Sequence, residues 1–124
     1  MSPVAAHEFS RIPLLASLSG ERLTSLAEKM RREHVEAGKT VVQEGEEGDR
    51  FYVVLSGMLS VSQSSLGARR VLRPGDFFGE VSLAMNIPRT ASVRAMAPSV
   101  VASCDHATFD EFLRPLFAED SEPG

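Results

Sequence analysis

Between residues 38 and 102 the chain is punctuated by Gly38, Gly45, Gly48-Asp49, Gly57, Gly67 and Pro74-Gly75-Asp76. The runs between these breaks are short and rich in Val and Phe. Residues 40–42, 51–55, 58–61, 71–72, 91–95 and 100–102 therefore read as strands, and the breaks as their turns. Many short strands joined by tight turns predict a β-roll, a double-stranded β-helix or jelly roll.

Both flanks switch to helical spacing. Phe9, Ile12, Leu14, Leu15 and Leu18 cluster around Pro13 and predict a short helical turn packed on the roll. Ser19 is placed to cap a helix whose first turn holds Glu21. Leu23, Leu26, Ala27 and Met30 give that helix one apolar stripe, ending near Arg31-Arg32. At the other end Asp105 is expected to cap a helix carrying Phe109, Phe112, Leu113 and Leu116, with Pro115 stopping or kinking it. The expectation is a mainly β domain at 9–117, with N-terminal helices, one short internal helix and a C-terminal helix. Residues 1–8 and 118–124 are expected to be flexible tails.

With 124 residues there is room for one compact domain. The charged fraction is 24% and the net charge −4, without the basic excess of a domain that coats nucleic acid. Arg31-Arg32 and Arg69-Arg70 read as solvated faces, and no helix-turn-helix fits, so no direct DNA contact is expected. No apolar run approaches the ~20 residues that span a bilayer, so no membrane insertion by this chain is expected either. The single cysteine, Cys104, rules out an internal disulfide and points to a reducing, cytoplasmic setting. His7, His34 and His106 lack the spacing of a metal site, and no Gly-x-Ser-x-Gly elbow occurs. No catalytic set and no metal site are expected.

One stretch exceeds what a turn requires: Phe78-Gly79-Glu80-Val81-Ser82-Leu83-Ala84-Met85-Asn86-Ile87-Pro88-Arg89-Thr90-Ala91-Ser92-Val93. A helical turn over 79–83 directly after a strand presents unpaired N–H groups to an anion. Gly79 lets a ligand approach the backbone. Arg89, in an apolar setting, has the fork that matches phosphate oxygens. Glu80 would repel a phosphate but accepts from a hydroxyl. A phosphate beside a sugar hydroxyl satisfies both residues.

This segment resembles the phosphate-binding cassette of cyclic-nucleotide-binding domains, the family found in catabolite-activator transcription factors, protein kinase A regulatory subunits and nucleotide-gated channels. The shared pattern is Phe-Gly-Glu, an aliphatic residue, a small residue, Leu, a four-residue loop, then Pro-Arg-Thr-Ala-Ser-Val. It extends upstream through Gly45-x-x-Gly48-Asp49-x-Phe51-Tyr52, Gly57 and Leu72-x-Pro74-Gly75-Asp76-Phe77-Phe78, and covers most of 9–114. The resemblance implies that Arg89 pairs with the exocyclic phosphate oxygens and Glu80 accepts from the ribose 2′-hydroxyl. It implies that the N–H groups of Ser82 and Ala91 face the phosphate, with Gly79 giving close access near the sugar and Phe78 among the ligand-binding residues. Thr90 matches a position whose hydroxyl holds a guanine amino group or a phosphate in some members. Val71, Leu72 and Val81 are expected along the base. The ligand is then cAMP or cGMP, with cAMP favoured, and the partner is an effector domain or protein. The long C-terminal helix of the family is expected to be shortened or missing. The competing expectation is a degenerate roll that contacts proteins without a ligand.

Overall fold

The computed structural model describes residues 6–9, 12–65 and 67–120. Turns of 3-10 helix at Ala6–Phe9 and Pro13–Leu15 lead into α1 (Gly20–Lys29). Eight strands follow: β1 (Arg31–Val35), β2 (Thr40–Val42), β3 (Arg50–Ser56), β4 (Leu59–Gln63), β5 (Gly67–Leu72), β6 (Phe77–Phe78), β7 (Ser92–Ala95) and β8 (Ser99–Asp105). A short helix, α2 (Glu80–Met85), separates β6 from β7. The described chain closes with α3 (His106–Thr108), a π-helical stretch Phe109–Leu113 and α4 (Arg114–Asp120).

The strands form two four-stranded antiparallel sheets, ordered β1-β8-β3-β6 and β2-β7-β4-β5. This is a β-roll flanked by helices, as the punctuation predicts. Alternation along β3 divides the core. Phe51 and Val53 face the helices and pack with Phe9, Ile12, Leu15, Leu26, Phe109, Phe112 and Leu113. Tyr52 and Val54 face the inside of the roll with Val42, Leu59, Leu72, Phe78, Val93 and Val101.

Two expected boundaries move. The α1 stripe ends at Met30, and Arg31-Arg32 open β1 rather than closing the helix. Pro115 does not stop the C-terminal helix. A proline in α register gives no N–H to the carbonyl four residues back and crowds it. Here the chain widens first, with the Arg114 N–H donating to Phe109 O, five residues back. The Glu111 carbonyl that Pro115 cannot serve accepts instead from Arg22 Nη2 of α1 at 3.1 Å. The same guanidinium lies 4.2 Å from the Phe112 ring centre.

The expected tails lie partly outside the described residues. Within them, Ala6–Phe9 forms a turn and the helix runs on to Asp120.

Candidate functional site

β6 ends at Phe78, and Gly79 turns the chain sharply into α2. Its φ of 97° lies in the left-handed region, where a side chain is strained. A Cβ there would also stand 2.9 Å from Arg50 O and 3.0 Å from Arg89 Nη1. The first N–H groups of α2 have no partner within the helix. Residues 79–82, which carry them, line a cavity of about 230 Å³, partly open to solvent, between α2 and the second sheet.

Arg89 reaches this cavity while only 7% exposed. Its backbone is tied on both sides to the loop after β2: Arg89 N donates to Glu46 O at 2.8 Å, and Arg89 O accepts from Gly45 N at 2.9 Å. Its guanidinium donates from Nη2 to Arg50 O at 2.8 Å and from Nη1 to Gly79 O at 3.2 Å. The bare backbone of Gly48 gives it space. A Cβ at Gly48 would lie 2.6 Å from Arg89 Nε and 2.8 Å from Ser82 Cβ. Tyr52, stacked on Phe78 with ring centres 4.8 Å apart, lies beneath the guanidinium at 6.0 Å. Burial weighs against the Arg89 charge and lowers its pKa, while Tyr52, Asp49, Glu46 and Glu80 oppose that shift.

Glu80 sits on the same cavity. Burial raises its carboxyl above the ordinary range, while its own backbone N–H and the charges of Arg70 and Arg89 pull the other way. The cavity therefore holds one preset cation and one half-buried carboxylate, suited to an anion and a hydroxyl on a single ligand.

Phe78, Gly79, Glu80, Val81, Ser82, Arg89, Thr90, Ala91 and Leu72 all line this cavity. Val81 and Thr90 stand at its exposed rim, and Gln63 Nε2 fixes the Thr90 carbonyl at 3.0 Å. Val71 is the exception and does not line it. Neighbouring residues of a strand point to opposite faces, so Val71 and Leu72 cannot share one wall.

Sequence reasoning missed Val42, Val61, Arg70, Phe77 and Val93. Four of these form a single row across the second sheet. Val42 is opposite Val93, Val93 opposite Val61, and Val61 opposite Arg70. The apolar floor thus ends in a cation at the exposed side.

Elsewhere, His34 and His106 lie apart from the cavity, and the described residues hold no His, Cys, Asp or Glu cluster suited to a metal. Among the described residues no helix is long and apolar enough to cross a membrane.

The geometry defines a class: a β-roll whose short helix and buried arginine frame one anion-facing cavity. The chain belongs to the cyclic nucleotide-binding domain family, whose model matches residues 32–115. It is 38% identical over 105 residues to a cAMP-dependent protein kinase regulatory subunit of Eremothecium gossypii, a match covering 85% of this chain and 23% of that protein. It is 34% identical over 113 residues to the cGMP-dependent protein kinase egl-4 of Caenorhabditis briggsae, covering 86% of this chain and 15% of the kinase. Among solved structures it resembles the cAMP-bound PfPKA-R (141–441) with a TM-score of 0.87 at 25% identity, over 92% of this chain and 40% of that one. The regulatory domain of Toxoplasma gondii PKA shares the fold, with a TM-score of 0.87 at 24% identity over 94% and 48%. The chain thus spans less than a quarter of the length of these two kinase relatives.

Proposed function

We propose that residues 9–117 bind a 3′,5′-cyclic nucleotide and act as a regulatory sensor with no catalytic chemistry of their own. One observation carries this reading. Arg89 is almost fully buried, yet its fork is held at the edge of an open cavity by two carbonyls, with Glu80 on the same wall. A buried cation held by neutral carbonyls is completed by an anionic ligand. The phosphate faces Arg89 and the first N–H groups of α2. The ribose hydroxyl faces Glu80. The base lies over the floor of Val42, Val93, Val61 and Leu72.

cAMP ranks ahead of cGMP because several of the kinase relatives are cAMP-dependent regulatory subunits. The output is a population shift in which the C-terminal helices re-pack and alter a linked or partner effector in the cytoplasm. Such a shift is limited by the ligand's differential affinity for the two packings. The family's regulatory subunits make a kinase catalytic domain the first effector to test.

Isothermal titration with cAMP and with cGMP, repeated on Arg89→Ala, tests the reading. Binding that the substitution abolishes supports it, and the two titrations rank the bases. A folded wild-type chain that binds neither nucleotide overturns it and favours a protein-contact module.

A further inference from the structure

The cassette helix α2 has six residues, too few to persist on its own. Its first turn nevertheless supplies Glu80 and the Ser82 N–H to the proposed site. The far end of the helix is what holds it. Asn86 closes it in the left-handed conformation, its N–H donating to Ser82 O. The last carbonyls are taken by a side chain from outside. Arg114 Nη2 donates to Leu83 O at 3.0 Å, and Nη1 to Ala84 O at 3.1 Å. These are end-of-helix acceptors at the negative pole of the helix, where a cation is favoured.

Arg114 is itself held from its own side. Asp110 Oδ1 accepts from its Nε at 2.8 Å and lies 2.7 Å from Nη2, and the Phe109 ring lies 5.7 Å from its guanidinium carbon. His106 Nε2 stands 3.6 Å from the same carboxylate oxygen. Leu83 adds apolar contact with the core shared by Phe109 and Leu113. Apolar contact tolerates sliding, whereas a planar fork on two named carbonyls fixes register.

We propose that Arg114 is a positioning residue for the nucleotide site: its fork on Leu83 O and Ala84 O sets α2 in place and ties its displacement to the C-terminal helices. This inference rests on the nucleotide-binding reading above. Arg114 is half-exposed and touches no wall of the cavity, so its effect must pass through α2.

The test is hydrogen exchange over residues 109–117, with and without saturating cAMP, together with titration of cAMP. Wild type is compared with Arg114→Met and Arg114→Lys. Met keeps an unbranched apolar stem and loses every donor, while Lys keeps the charge and one donor head. Arg114→Met should bind about tenfold more weakly, and its 109–117 amides should lose the response to cAMP that wild type gives. Arg114→Lys should recover part of both. Either an unchanged Kd or an unchanged exchange response in Arg114→Met overturns the inference. Should Arg114→Met fail to fold, Asp110→Asn releases the same fork from an exposed position and is read by the same two criteria. Failure of wild type itself to bind overturns the functional reading and this inference with it. Binding with an unmoved variant overturns this inference alone.

Discussion

Burial weighs against the charge of both Arg89 and Glu80. The guanidinium spends two donors on carbonyls of β3 and Gly79, which hold the side chain in one orientation before a ligand arrives. A charge-assisted hydrogen bond contributes roughly 1.5–3 kcal/mol, and a forked contact in this half-dry cavity belongs at the upper end. Arg89→Ala should therefore lose on the order of 100-fold in nucleotide affinity, while its thermal unfolding stays cooperative. Titration and calorimetry on one preparation check both.

For Glu80, desolvation outweighs its own backbone N–H and the charges of Arg70 and Arg89, and its carboxyl is raised. A carboxyl raised in the folded state favours folding when protonated, and that contribution is lost as pH rises through the folded pKa. At neutral pH the ionised form therefore costs stability. Glu80→Gln should raise Tm slightly at pH 7, and that gain should vanish as pH falls below the ordinary carboxylate range. The same change should weaken binding about tenfold and reduce discrimination against 2′-deoxy nucleotides. An unchanged Tm difference across this pH range would contradict the assigned environment.

At the scale of elements, legibility followed the apolar pattern, and the edge strand β2 was read from its Val pair. Among the interior strands, β3 and β8 announce themselves by the apolar runs at 51–55 and 100–102, and β4 and β7 by shorter segments around Val61 and Val93. β1 and the first half of β5 do not. Both are edge strands, and Arg31-Arg32-Glu33-His34 and Arg69-Arg70 occupy them. Charged residues are tolerated, and useful, on an edge that must not pair with other chains. That use erases the apolar alternation by which a strand is read. In β1 two of these side chains bond inward: Glu33 accepts from the buried Ser103 hydroxyl at 2.5 Å, and Arg32 pairs with Glu8.

The cassette was legible because its residues adjoin one another in sequence. The cavity floor was not, since Val42, Val93, Val61 and Arg70 meet only through strand register. Pro115 misled for a related reason: the carbonyl it strands is rescued by Arg22, 93 positions away in sequence numbering from Pro115.

The C-terminal helix start was legible and is testable. The Asp105 side chain accepts from Thr108 N at 2.9 Å, and these bonds to Thr108 lower its pKa. The cap contributes above the ordinary Asp pKa and is lost as pH falls through the lower folded value. Asp105→Ala should cost about 1 kcal/mol at pH 7, measured by urea unfolding, with the difference shrinking towards acid.

At the scale of the molecule, the helices of both flanks and the first sheet share one core, and Cys104 lies within it fully buried. Burial pushes its thiol up to about 12. A thiol so placed reacts only when the core opens. Labelling by a small thiol reagent should therefore proceed at the rate set by opening, and a nucleotide bound only by the folded state should slow it. In the rapid-reclosing regime, a ligand at about 100 times its Kd should slow labelling about a hundredfold. Labelling unaffected by nucleotide would separate this core from the cavity.

The grip of α1 on the C-terminal helix has a mechanical consequence. Arg22 holds Glu111 by its carbonyl and Lys29 faces the Glu111 carboxylate at 4.0 Å, so the two flanks form one brace across the outside of the first sheet. A tension applied between the flanks would load that brace and leave the ladder β2-β7-β4-β5 outside the direct line of force. Under load the helical layer would shear away first, as a fuse does, before the sheet that floors the cavity began to unzip.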